Sequence, residues 1–221
     1  MKSLIYLSHH ISNETPLYGN EKGIKISPGK QIQSGDSCNT LNLSFPNHIG
    51  THIDFPYHFN QGGKTINDYP ASYWHFDHVE MVDLSGKVVD SQIIDLTIFP
   101  NIENIETDLL LIKTGYGKYR GTDRYTLLSP GLSPELAPFL RNKFPKLRCI
   151  GLDLISISSY CHREKGRKAH HAFLNPDEGE PILLIEDMKL DIKGPFERVV
   201  VAPLLIDNAD GAPCTVLAYT K

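Results

Sequence analysis

The sequence predicts a mixed α/β fold in which strands predominate, and three observations predict it. Seven segments (4–7, 79–84, 109–114, 149–154, 182–185, 199–205 and 215–219) are short, apolar and rich in β-branched residues. Several of them are apolar throughout, as strands covered on both faces are. Only one stretch carries a full helix-start signature. No internal repeat and no Pro/Gly-rich linker divides the 221 residues, so one domain over 1–221 is expected.

The elements can be justified in order. Residues 4–7 open the chain as a strand, and 79–84 and 109–114 follow as longer apolar runs. The loop Gly115-Tyr116-Gly117-Lys118-Tyr119-Arg120-Gly121 lacks the Lys-Ser/Thr ending of a phosphate loop and reads as turns, perched near a pocket. The clearest helix starts at Ser133-Pro134-Glu135, a hydroxyl cap, a proline for the first turn and an acid. It runs to Lys143, and Pro145 blocks extension. A strand over 149–154 comes next, then a second helical stretch around 163–174. Strands over 182–185, 199–205 and 215–219 close the chain.

Composition excludes several roles. With 22 basic and 26 acidic side chains the net charge is −4, which disfavours nucleic acid as a partner. The longest apolar run, 199–206, is eight residues, far below the ~20 that span a bilayer, so no membrane partner is expected. The start carries one lysine and a short apolar patch, not a secretory signal. Cys38, Cys149, Cys161 and Cys214 are scattered without a Cys-x-x-Cys pair, as expected of reduced thiols in a cytoplasmic protein. No Gly-x-Ser-x-Gly elbow is present, which weakens a serine-hydrolase reading.

Three of the ten histidines and one aspartate fall in the eleven positions from 48 to 58: His48, His52, Asp54 and His58. All four occupy even positions, while 49, 53, 55 and 57 are apolar or aromatic. An extended chain would turn the four polar groups to one face. His52 and Asp54 would stand ~7 Å apart along a strand, close enough to share an ion ~2 Å from each. His48 would be ~13 Å from His52 in a straight strand, so a bend is required, and Gly50 permits it. Pro56 turns the chain before His58. Separately hydrogen-bonded polar residues are the alternative, but several buried imidazoles around a carboxylate are costly without a shared cation. Imidazole and carboxylate without thiolate suit Zn²⁺ or Mn²⁺ in an open catalytic site, where the ion activates water.

His48-x-Gly50-Thr51-His52-x-Asp54-x-Pro56-x-His58 resembles the signature of the cyclase-like metal-dependent hydrolases, a family that includes bacterial kynurenine formamidase and isatin hydrolase. Ile5-Tyr6-Leu7-Ser8-His9, 109–115, Gly131-Leu132-Ser133 and Gly151-Leu152-Asp153 are similar to further family segments. The resemblance implies a swivelling β/β/α fold and one or two metal ions per chain, Zn²⁺ first and Mn²⁺ second. It implies His48, His52 and Asp54 as ligands, with Asp54 able to bridge two ions, and His58 as a proton shuttle. From the C-terminal half it implies His170, with His171 as the alternative, and Glu186, with Glu178 and Glu180 as alternatives. The implied activity is cleavage of the C–N bond of a small amide, an aryl formamide such as N-formylkynurenine or a cyclic amide. A lactone or ester hydrolase, or a non-catalytic metal- or ligand-binding protein on the same fold, are the other readings. A small-molecule substrate and a homodimer or larger assembly are implied as partners.

Two other signals are set aside. His75 and His78 flank Trp74 in a segment that reads as an aromatic surface or pocket wall. The run Arg163-Glu164-Lys165-Gly166-Arg167-Lys168 reads as a solvated face, although its place before His170 would let it attract an anionic substrate.

Overall fold

The computed structural model describes residues 3–100, 102–192 and 194–220. In chain order the strands are β1 (Leu4–Tyr6), β2 (Lys25–Pro28), β3 (Leu41–Ser44), β4 (His52–Asp54), β5 (His75–Phe76), β6 (Val79–Asp83), β7 (Ile93–Ile94), β8 (Leu109–Lys113), β9 (Gly131–Leu132), β10 (Cys149–Leu152), β11 (Leu183–Glu186), β12 (Phe196–Pro203) and β13 (Gly211–Thr220). The helices are α1 (Asp123–Leu127), α2 (Leu136–Lys143) and α3 (Arg163–Leu174). Strands dominate a mixed α/β architecture, as the apolar segments predict.

Nine strands make one sheet in the order β5-β12-β13-β4-β11-β10-β8-β6, with β1 beside β13. From β6 to β11 the neighbours are parallel; from β11 through β4 and β13 to β5 they are antiparallel. The parallel half needs crossovers, and those from β8 to β10 and from β10 to β11 carry α1, α2 and α3. Leu109 to Ile112, Cys149 to Leu152 and Leu183 to Ile185 are buried accordingly, which explains their apolar sequence. β5 and β6 lie at opposite ends of the order, yet only Asp77 and His78 separate them in the chain. The sheet therefore curls nearly into a ring, with β12 and β6 in contact.

α3 forms because Gly166, Ala169, His170, Phe173 and Leu174 repeat at helical spacing and bury one face. Glu164 occupies its first turn, and Pro176 follows its end.

Two local expectations need correction. Ser133 does not cap α2: its hydroxyl donates to Glu135 Oε2 at 3.2 Å, and the helix begins at Leu136 after a turn held by backbone bonds. Residues 48–58 do not form one extended strand either. Only β4 is strand, followed by a 3-10 turn over Pro56–His58. No helix among the described residues is long and apolar enough to cross a membrane.

Candidate metal centre

β4 is three residues long, fully buried, and clamped between β11 and β13. Alternation sends Ile53 into the core and turns His52 and Asp54 to the other side. The ladder places Glu186 of β11 directly opposite His52, and Gly211 of β13 opposite Asp54. Gly50, at φ 57°, provides the bend that a straight strand would deny, in a region that favours glycine. His48 thereby folds back so that its Nδ1 lies 2.8 Å from Asp54 Oδ1. A Cβ at position 211 would overlap the His48 ring, so the close approach requires glycine there too. The turn at Pro56 then brings the His58 ring to 4.1 Å from that of His48, centroid to centroid.

The second half of the cluster comes from α3 and β11. His170 is buried on α3, and Glu186 is buried at the end of β11. The Glu186 carboxylate is fixed by Ile157 N–H at 2.7 Å and Ser156 Oγ–H at 3.1 Å, both onto Oε1. His52 Nδ1 donates to the Gly50 carbonyl at 2.8 Å and His170 Nδ1 to the Gly166 carbonyl at 2.9 Å. A carbonyl only accepts, so Nδ1 carries hydrogen in both rings and Nε2 is the nitrogen turned to the carboxylates.

The separations at those Nε2 atoms are diagnostic. His52 Nε2 is 3.5 Å from Asp54 Oδ1 and 3.4 Å from Glu186 Oε2. His170 Nε2 is 3.7 Å from Asp54 Oδ2 and 3.5 Å from Glu186 Oε1. These exceed good charge-assisted hydrogen bonds. They match donors held ~2.1 Å from a common tetrahedral ion, which stand ~3.4 Å apart. Asp54 Oδ2 is buried without any hydrogen-bond partner, an expensive arrangement unless a cation supplies the missing contact. The residues present therefore fit a divalent ion. Two overlapping groups of donor atoms can be drawn, His52, Asp54 and Glu186 in one and His48, Asp54 and His58 in the other.

Electrostatics agree with the crowding of imidazoles and carboxylates. Burial alone would lower the His48 pKa, but hydrogen bonds to Asp210 and Asp54 outweigh it and raise it to about 10. Burial opposes the proton on His170 as well, and Asp54 and Glu186 lift it to about 9. Burial would raise Asp54, yet His170 and His48 hold its carboxyl well below the usual range.

Asp210 was not anticipated from the sequence. It sits in the turn between β12 and β13, where its Oδ2 is 2.8 Å from His58 Nδ1 and 3.0 Å from His48 Nε2. Asn47 Nδ2 donates to its other oxygen at 2.7 Å. Its pKa lies far below the ordinary value because the His48 and His58 hydrogen bonds favour the carboxylate. The only hint in the chain is an Asp-Gly pair between two apolar runs, which reads as a turn.

A second network stands behind Glu186. Asp187 has φ 49° and is buried; Arg120 donates to both its oxygens, with Nη2 at 2.7 Å, and Tyr125 Oη–H donates at 2.6 Å. The 115–121 loop thus serves this support through Arg120 and does not line the cavity.

All six candidates from the sequence, His48, His52, Asp54, His58, His170 and Glu186, line one cavity of about 460 Å³. The alternatives lie elsewhere: His171 is exposed, and so are Glu178 and Glu180, whose backbone carbonyls accept from Arg141. His75 and His78 are exposed and do not line the cavity.

A near-closed mixed sheet that gathers imidazoles and carboxylates at a fully buried strand defines the class. Residues 5–159 match the family described as "Putative cyclase", and the chain belongs to the cyclase family. Its relatives include kynurenine formamidase of Bacillus thuringiensis subsp. konkukian, 26% identical over 220 residues, covering 95% of this chain and 93% of the relative. Kynurenine formamidase of Geobacillus thermodenitrificans is 28% identical over 221 residues, covering 96% and 95%. Among solved structures, isatin hydrolase A from Labrenzia aggregata bound to benzyl benzoate superposes with a TM-score of 0.79 at 22% identity, covering 99% of this chain and 94% of that one. A structure described as a potential metal-dependent hydrolase with cyclase activity gives 0.72 at 22% identity, covering 100% and 99%. These likenesses show that the fold is shared.

Proposed function

We propose that the chain is a metal-dependent hydrolase that cleaves the C–N bond of a small amide, an aryl formamide or a cyclic amide. The observation that carries the reading is the unpartnered Asp54 Oδ2, buried among Nε2 atoms at ligand-to-ligand spacing. The names of the relatives, kynurenine formamidase and isatin hydrolase, support an amide substrate. His52, Asp54, His170 and Glu186 would hold one ion, and His48 with Asp54 a second, with Zn²⁺ the first choice and Mn²⁺ the next. Such an ion supplies Lewis acidity, acidifying water and polarising a carbonyl.

The protein's own groups do the remaining work. His58 donates its Nδ1–H to Asp210, which fixes the ring and leaves Nε2 free toward the cavity. In this reading Nε2 takes the proton as water oxygen bonds to the amide carbon. It returns that proton to the nitrogen as the C–N bond breaks, leaving an amine and a carboxylic acid, on one ring-opened molecule for a cyclic amide, and the acid then gives its remaining proton to solvent. Leu17, Tyr18, Phe59 and Ile155 give the cavity an apolar wall suited to an aryl group.

Metal analysis coupled to assays on N-formylkynurenine, isatin and a simple lactone tests the reading. Amide hydrolysis that is lost on chelation and restored by a divalent ion is the expected result. Less than about one ion per chain after reconstitution, or full activity in chelator, would overturn it. A homodimer or larger assembly belongs to the same proposal. The exposed apolar side chains Leu41 and Leu43 of the β2–β3 ribbon support it, and light scattering tests it.

A further inference from the structure

The rim of the cavity holds charges that the hydrolytic steps do not use. Arg163, Arg167 and His170 follow at i, i+4 and i+7 on α3 and line the same cavity. That spacing keeps the three side chains within ~60° of one another around the helix. Along its axis Arg167 lies ~4.5 Å and Arg163 ~10 Å from His170. Lys165 and Lys168 point elsewhere, and Lys168 neutralises Glu164 at 3.0 Å. The charged residues of the run are all exposed, as a solvated face requires, but only its two arginines also border the cavity.

Neither arginine lies within ion-pair distance of a carboxylate among the described residues, although Arg167 adds to the positive field at Glu164. Arg163 has an aromatic neighbour instead, with its guanidinium carbon 5.5 Å from the Tyr160 ring centroid. Tyr160 in turn packs edge-on against Tyr18 of the cavity wall at 5.5 Å. Two like charges at i, i+4 weaken a helix, so their retention on the cavity side points to a ligand that brings the opposite charge. Guanidinium presents paired donors that match a carboxylate, which a point-charge lysine does not.

We propose that Arg163 and Arg167 form a carboxylate-binding subsite. The enzyme would then take small amides with an anionic group one to two helical turns away from the scissile bond. The inference rests on the amide-hydrolase reading for its substrate and on α3 alone for its site.

The test compares formanilide carrying an ortho propanoate side chain with the matching propanamide, using metal-loaded protein. The propanoate compound should be favoured by about tenfold or more in kcat/KM, and that ratio should collapse toward one in an Arg163→Met/Arg167→Met double variant. A ratio near one in the natural protein, or one unchanged in the variant, would overturn the subsite. Calorimetry with phenylpropanoate and phenylpropanamide separates the two proposals. Carboxylate-selective binding that the double variant loses sustains the subsite even if no amide is hydrolysed, in which case the hydrolase reading fails. Hydrolysis without carboxylate selectivity sinks the subsite alone.

Discussion

His52 and Glu186 are cross-strand partners, directly opposite each other on β4 and β11, with His52 Nε2 3.4 Å from Glu186 Oε2. The register of one short ladder thus joins an imidazole from the first quarter of the chain to a carboxylate 134 positions later. That count is the difference between the two residue numbers, 186 and 52.

Glu186→Gln tests the carboxylate. Glutamine keeps the length and can still accept from Ile157 and Ser156, but it removes the charge. Metal affinity is expected to fall by about 100-fold or more, beyond the 10–100-fold typical of residues that only support a ligand. Chelator competition measures it; full occupancy at unchanged affinity would remove Glu186 from the set.

Asp210→Asn should lower kcat by about 100-fold while metal stays bound, because the His58 ring loses its fixed orientation. His58→Ala should cost a similar factor, and the double variant little more, since the two act as one unit. Loss of an ion from His58→Ala, read by metal analysis, would instead make His58 a ligand.

Gly211→Ala drives a methyl group into the His48 ring. The expected cost is about 1–3 kcal/mol of stability, with the ion on the His48 side lost before the other. Thermal denaturation and metal stoichiometry together check this.

The metal-free protein should lose stability as pH rises. The folded-state pKa values of His48, about 10, and His170, about 9, lie above the ~6.5 of an unfolded chain. Their contribution is therefore complete below about pH 6.5 and disappears as pH climbs through about 9 to 10. A Tm that stays level between pH 7 and 10 in chelator would contradict this. Metal uptake at neutral pH must also release protons, so the observed binding enthalpy should vary with the ionisation enthalpy of the buffer.

How much of this was legible in the sequence follows from distance along the chain. His48, His52, Asp54 and His58 fall within eleven positions, and their alternation with apolar residues announces a buried strand carrying polar groups on one side. The required bend at Gly50 was legible for the same reason. His170 and Glu186 were placed through the resemblance, since a lone histidine or a charge closing an apolar strand has no pattern of its own. Asp210 was invisible: its partner His48 is 162 positions away, and only the pairing of β4 with β13 brings them together. The place of Arg163 and Arg167 beside the cavity likewise depends on where α3 lies, which a run of like charges does not specify.

The near-ring of the sheet has a consequence for the isolated molecule in a crowded cell. A sheet whose first and last strands are successive stretches of one chain leaves only short rims where a foreign strand could add. β5 is two residues long, so at that end of the sheet an intruding peptide would find few backbone groups to template on. The same turn of Asp77 and His78 that closes the fold thereby also keeps that edge too short for a second chain to pair along it.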